Sequence, residues 1–252
     1  MKKLLLVLLC LPLMTLAQQT YVPDDNFEQA LINLNYDNVM NDSVATSSID
    51  TLQILSIFGQ NISSLVGIQD FIKLRVLRCS NNQLSDIDLS SNLLLRQLYC
   101  GGNQLSELDV STNNSLTILR CGNNPIISLD LSNTMQLIQL FSRDGALTEL
   151  NIKNGNNIIL DSLNVTGNPN LSCIEVNNIN YFNNNFSIAN SNIDSQQYFS
   201  NSCSATAIQE HATNKELLKV TDLLGRETKG TKNEPLLYLY DDGTVEKRIV
   251  IE

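Results

Sequence analysis

Tryptophan is absent from this 252-residue chain, and histidine occurs once, at position 211. One histidine in a polar stretch leaves no His-based triad for a folded domain. There is no H-E-x-x-H, no C-x-x-C, no P-loop and no dinucleotide glycine fingerprint, so the chemistries those motifs carry are not expected. Carboxylate-pair hydrolysis is not excluded by composition. Positive charge is scarce: 16 Lys and Arg stand against 26 Asp and Glu, a net charge of −10, with no Lys/Arg cluster in the sequence. Affinity for nucleic acid rests on neutralising phosphates, so nucleic acid is not the expected partner. Long apolar runs are missing too. The longest, Leu4 to Leu13, falls short of the roughly 20 residues needed to span a bilayer.

That short run belongs to an N-terminal address. Lys2 and Lys3 precede it, and Thr15-Leu16-Ala17 follows, before the polar Gln18, Gln19 and Thr20. Charged start, apolar core and small residues describe a cleavable signal peptide over residues 1–17. Cys10 lies inside the apolar core and is followed by Leu-Pro-Leu-Met, which does not suit a lipoprotein start. Removal of the signal leaves Cys79, Cys100, Cys121, Cys173 and Cys203, and export makes disulfides available to them.

What the chain does have is a repeat. Leu74-Arg-Val-Leu-Arg-Cys-Ser-Asn-Asn-Gln-Leu84, Leu95-Arg-Gln-Leu-Tyr-Cys-Gly-Gly-Asn-Gln-Leu105 and Leu116-Thr-Ile-Leu-Arg-Cys-Gly-Asn-Asn-Pro-Ile126 align without gaps at a 21-residue spacing. Leu137 to Leu147 is a degenerate fourth unit, with Ser142 and Gly145 off the pattern, and Leu52 to Leu65 is an earlier one at a spacing of 22. The pattern L-x-x-L-x-C-x-x-N-x-L resembles the leucine-rich-repeat signature. One unit cannot bury its own leucines; stacked units bury them in a continuous core, with one short parallel strand per turn. Leu77, Leu98, Leu119 and Leu140 are expected to form one column and Cys79, Cys100 and Cys121 the next. Asn82, Asn103 and Asn124 are expected to bond backbone groups at the turns. Three thiols in line do not make a tetrahedral site, so the cysteine column reads as buried ladder residues and not as a metal centre. Asp88, Asp109 and Asp130 begin a second extended segment on the opposite side. Each precedes a Ser two residues on, which favours a turn-stabilising role; calcium binding by this row stays open. No cofactor is expected.

A solenoid has two ends to cover. At the front, Pro23-Asp24-Asp25-Asn26 starts a helix, with Asp25 and Glu28 at capping-box spacing and Phe27, Leu31 and Leu34 on one face. At the rear, Cys173 and Cys203 lie outside the ladder and bracket an Asn-rich stretch carrying Tyr181, Phe182, Phe186, Tyr198 and Phe199. A disulfide between them is predicted. The fold expected is an α/β repeat: a leucine-rich-repeat solenoid (49–170) with short parallel strands, an N-terminal helical cap (18–48) and a C-terminal cap (171–203). A linker (204–216) and a small all-β domain (217–252) follow.

The last of these carries a second resemblance. Asp222-Leu-Leu-Gly225-Arg226-Glu227 and Tyr240-Asp241-Asp-Gly243-Thr-Val-Glu-Lys247-Arg-Ile249 resemble the type A C-terminal sorting domain of the type IX secretion system. The resemblance implies export across both membranes by that machinery, removal of the domain, and release or attachment to surface lipopolysaccharide. The location implied is secreted or at the outer-membrane exterior. The middle of the chain, the front segment Tyr21 to Glu28 and the rear boundary Asn168 to Ile174 are similar to bacterial leucine-rich-repeat surface proteins with the same Cys-bearing unit.

Ligand contact, if there is any, falls on the residues between the buried columns, which face outward along each strand. The fifth position gives Ser56, Arg78, Tyr99, Arg120 and Phe141; the third gives Ile54, Val76, Gln97, Ile118 and Gln139. Alternating Arg and aromatic side chains can hold carboxylates, sugars or peptide. Five strands at about 4.8 Å make a strip roughly 20–25 Å long. Its two rows cover less than the roughly 800 Å² per partner of a standard interface. The function expected is non-enzymatic binding of a protein or glycan in adhesion or recognition; a structural role in the envelope or matrix without a specific ligand is the alternative.

Overall fold

Leu55, Leu77, Leu98, Leu119, Leu140 and Leu163 stand in one register across six parallel strands and are all buried. The computed structural model describes residues 18–203, 217–221, 228, 235–240 and 245–249, in two units, 1–203 and 204–252. The ladder strands of the first unit are β3 (Ile54–Ser56), β4 (Val76–Arg78), β5 (Gln97–Tyr99), β6 (Ile118–Arg120), β8 (Gln139–Phe141) and β10 (Ser162–Asn164). Their order in the sheet is β10-β8-β6-β5-β4-β3. Each strand buries only its middle residue outright. Stability therefore comes from the return path, where each turn adds aliphatic residues to the same core: Leu84, Leu89 and Leu95 in one turn, Leu105, Val110 and Leu116 in the next. Full burial of such a side chain contributes about 1.5–3 kcal/mol.

The ladder runs one turn past the degenerate unit. Leu160-Asp-Ser-Leu163-Asn-Val165-Thr-Gly-Asn168 supplies β10, with Val165 in the cysteine column and Asn168 in the asparagine column. Ser142 occupies the cysteine column in the turn before and is buried. Gly145 leaves room: a Cβ there would stand 2.9 Å from Asn168 Oδ1, the atom that accepts from Leu147 N. The strip of outward residues is thus six strands long.

A second parallel sheet forms on the return limbs, in the order β12-β11-β9-β7. Its strands are β7 (Ser128–Asp130), β9 (Glu149–Asn151), β11 (Cys173–Glu175) and β12 (Tyr198–Ser200). Asp130 lies in it, whereas the segments at Asp88 and Asp109 carry no strand pairing, so the second sheet begins only at Ser128. The predicted disulfide is present: Cys173 on β11 is bonded to Cys203, 30 residues on. Between them, α3 (Ile179–Asn185) starts at Asn178, whose side chain accepts from Tyr181 N. Phe182 packs against Phe186 and Phe199 at ring-centroid distances of 5.3 and 5.0 Å.

At the front, β1 (Gln19–Tyr21) pairs antiparallel with β2 (Ser43–Ala45), with α1 (Asp25–Asn33) between them and the short α2 (Thr46–Ile49) after. The cap is Asp24, not Asp25. One Asp24 oxygen accepts from Phe27 N and the other from Ser63 N, Ser63 Oγ and Ser64 N, so one carboxylate starts the helix and ties it to the first turn. Burial disfavours its charge, but those donors outweigh it and hold its pKa below the ordinary value. The capping box does not form. Glu28 is buried and accepts instead from Asn41 N, Asp42 N and Ser43 N. Phe27 and Leu31 are buried, Phe27 stacking on Phe71 at 6.3 Å, but Leu34 is exposed because the helix has already ended there.

In the second unit, β13 (Leu217–Thr221), β14 (Pro235–Tyr240) and β15 (Val245–Ile249) form an antiparallel sheet in chain order. Lys247 lies on β15 opposite Leu237. Residues 1–17, His211, Asp222, Gly225, Arg226, Asp241 and Gly243 lie outside the described residues.

Candidate functional site

The parallel register places both outward rows of the ladder sheet as columns. Ile54, Val76, Gln97, Ile118, Gln139 and Ser162 form one; Ser56, Arg78, Tyr99, Arg120, Phe141 and Asn164 form the other. In the second column the side chains stack. The Arg78 guanidinium lies 5.5 Å from the Tyr99 ring centroid, and Arg120 lies 5.4 Å from Tyr99 and 4.7 Å from Phe141. The first column supports it: Tyr99 Oη donates to Gln97 Oε1, and Arg120 Nη2 reaches Gln139 Oε1 at 3.5 Å. Val76, Gln97, Ile118, Gln139, Tyr99 and Phe141 are half-buried, while Arg78 and Arg120 are exposed.

Beside this stack runs a groove of about 880 Å³. One wall is the Arg–aromatic column. The floor is the next outward position along each turn: Ser80, Gly101, Gly122 and Arg143. At Gly122 the neighbouring rung comes close, so that a Cβ there would stand 2.6 Å from the Arg143 carbonyl; at Gly101 the approach to the Gly122 carbonyl is 3.0 Å. Ser80, Gly101, Gly122, Arg143 and Phe58 were missed from sequence. The alternation that placed the fifth position outward also places the seventh there, and that signal was available. Lys/Arg residues that are scattered along the sequence meet here: Arg78, Arg120 and Arg143, from three different turns, line one groove. Arg143 has Asp144 at 3.5 Å; Arg78 and Arg120 have no carboxylate partner among the described residues.

Beneath the stack lies the cysteine column. Cys79, Cys100 and Cys121 are buried free thiols. Burial pushes Cys79 up to about 12 and Cys121 to about 11, although a hydrogen bond with Ser142 pulls Cys121 down. Burial also raises Cys100, with the neighbouring thiols adding to it. These thiols are protonated at neutral pH.

Asparagine ladders hold the turns. Asn103 donates to the Cys79 and Cys100 carbonyls and accepts from Leu84 N; Asn82, Asn124 and Asn168 repeat the arrangement. A second buried column, Asn92, Asn113 and Thr134, escaped the sequence reading although it keeps the same spacing. Asn113 Nδ2 donates to the Leu89 and Asn92 carbonyls. The aspartate row serves turns: Asp88, Asp109 and Asp130 accept from the N–H of Ser90, Ser111 and Ser132. Bonds from the serine side chain and backbone lower Asp88 and Asp109 below the ordinary carboxylate value. No group of three or more His, Cys, Asp or Glu among the described residues is placed to hold a metal ion. No helix among them is long and apolar enough to cross a membrane.

No family model and no curated protein matches the chain. Solved structures do. The functional domain of InlJ from Listeria monocytogenes, whose structure is described as including a cysteine ladder, is similar over 64% of this chain and 38% of its own, at 26% identity and a TM-score of 0.54. An internalin, inlF, from the same organism is similar over 64% of this chain and 53% of its own, at 21% identity and a TM-score of 0.52. The chain therefore spans well under two thirds of either. The repeat unit is a leucine-rich-repeat solenoid.

Proposed function

We propose that the protein is a non-enzymatic recognition module that works outside the cell and binds a protein or glycan through the groove beside the Arg78–Tyr99–Arg120–Phe141 column. The observation that carries this reading is the stack itself. Exposed arginines are costly to order in a single geometry, yet here each guanidinium is held against an aromatic face without a carboxylate to neutralise it. Such an arrangement preorganises contact groups and lowers the entropic cost of binding. A six-strand strip is about 24 Å long at the usual strand spacing. That favours a small or linear ligand over a broad protein face.

Export supports the same reading. Residues 1–17 read as a signal peptide. The C-terminal residues Asp222, Gly225, Arg226, Asp241, Gly243 and Lys247 read as a type IX sorting motif, with the secretion machinery as partner and attachment to lipopolysaccharide as one fate after processing. The Cys173–Cys203 bond suits an oxidising compartment. The similarity to the InlJ domain, with a cysteine column in this chain as in the ladder described for InlJ, adds an analogy of fold.

The test is an array of proteins and glycans probed with the full chain and with a variant carrying Ala at positions 78, 99, 120 and 141. Binding lost in the variant, with unchanged far-UV circular dichroism, is the expected result. Ligands retained by the variant would move binding away from this column and overturn the proposed site; no ligand at all would leave a structural envelope role as the better reading.

A further inference from the structure

Tyr99 sits on the rung between Arg78 and Arg120 and carries a guanidinium on each flank, at 5.5 and 5.4 Å, and Arg120 also covers Phe141 at 4.7 Å. An aromatic ring is negative on its face and positive at its edge. In this column the faces are satisfied internally by the guanidiniums, and what remains for a ligand is ring edges and N–H donors of one sign. A sugar ring needs an open aromatic face to stack on. Both faces of Tyr99 are taken, as is one of Phe141; the aromatic face left to a sugar is the other side of Phe141 and the exposed Phe58, so the centre of the column favours carboxylate.

The surroundings agree. No Asp or Glu lines the groove, while Arg78, Arg120 and Arg143 do, in a chain of net charge −10. Among exposed acidic residues, Asp86, Asp88, Glu107 and Asp109 belong to the return limbs, and Asp144 stands beside the groove, paired with Arg143. Spacing narrows the ligand further. Arg78 and Arg120 are two rungs apart, about 9.6 Å at the usual strand separation. A polyproline II chain rises about 3.1 Å per residue with three residues per turn, so its residues i and i+3 share one side about 9.3 Å apart.

We infer that the groove binds an acidic peptide segment in an extended, polyproline II-like conformation with carboxylates at every third residue. Arg78 and Arg120 each take one carboxylate, and the peptide backbone lies along the Gly101–Gly122 floor. The inference rests on the recognition reading of the same column. Guanidinium forks bind carboxylates in the plane and with two donors, which an ammonium cannot reproduce.

Fluorescence anisotropy with the full chain tests it, using labelled Glu-Pro-Pro-Glu-Pro-Pro-Glu, its Gln analogue, Glu-Glu-Glu-Pro-Pro-Pro-Pro of identical composition, and an oligogalacturonate. Binding of the first peptide is expected to weaken with added salt. Arg78→Ala and Arg120→Ala should each weaken it by about tenfold, in line with the strength of hydrogen bonds to charged groups. Arg120→Lys, which keeps the charge but not the guanidinium fork, should also weaken it, with an unchanged urea midpoint or far-UV circular dichroism showing that the fold is kept. Equal binding of the Gln analogue or of the clustered-charge peptide overturns the inference, as does Arg120→Lys binding like the parent. Oligogalacturonate bound in place of the peptide also overturns it, but leaves the recognition reading standing. That reading fails separately, if the fourfold Ala variant keeps every ligand found on the array.

Discussion

The guanidinium of Arg120 lies 4.7 Å from the centroid of the Phe141 ring, one rung further along the solenoid. The two residues are 21 positions apart in sequence, and only the parallel register of β6 and β8 makes them neighbours. A contact of this kind is worth about 0.5–1 kcal/mol at an exposed site. A double-mutant cycle with Arg120→Ala and Phe141→Leu, read by urea unfolding, should give a coupling energy of that size. A coupling near zero would mean the column is not stacked in solution.

Asn103→Ala should destabilise the chain more than Asn113→Ala, although both remove a buried carboxamide from a repeat column. The carbonyls that Asn103 serves each keep another donor, Asn82 for Cys79 and Asn124 for Cys100. Leu84 N has Asn103 Oδ1 as its acceptor, and the substitution orphans it. Asn113 leaves no such N–H, and its own Oδ1 already lacks a partner. The difference should be about 1–3 kcal/mol, the cost of an unsatisfied buried donor. Equal losses in urea midpoint would count against the accounting.

Replacing both Cys173 and Cys203 with Ala should lower stability by about 3–4 kcal/mol, the chain-entropy value for a loop of this length. The native protein should meanwhile show no reaction of Cys79, Cys100 and Cys121 with a thiol reagent until denaturant is added, because all three are buried. Rapid native labelling of three thiols would show that the ladder opens.

Alkali should destabilise the fold through the same three thiols. Their folded pKa values are raised by burial, to about 12 for Cys79 and about 11 for Cys121, whereas an unfolded thiol titrates near 8.5. Above that unfolded value the unfolded chain gives up protons the folded one retains, so stability is complete below it and declines as pH rises toward 11 and 12. The urea midpoint should fall between pH 8 and pH 10.5. The fall should be smaller in Cys100→Val, which removes one titrating group at nearly constant volume. An identical pH profile for that variant would assign the loss elsewhere.

The sequence by itself determined everything that depends on period. A 21-residue spacing puts Leu77, Leu98 and Leu119 in one column, and strand alternation puts Arg78, Tyr99 and Arg120 in the next. Two cysteines left outside a ladder pair with each other. These readings needed nothing beyond repetition, because each turn of a solenoid meets its neighbours in the same way. Tertiary structure decided what repetition does not encode. The sixth turn was hidden by Val165 in place of Cys and by a longer spacing. Glu28 bonds backbone 13 to 15 residues away instead of its own helix terminus, since a buried carboxylate goes where unpaired N–H groups converge. Period alone puts Arg78 and Arg120 in one column; that Arg143, from the next turn, faces the same groove and that no Asp or Glu lines it is decided only when the strands stack about 4.8 Å apart.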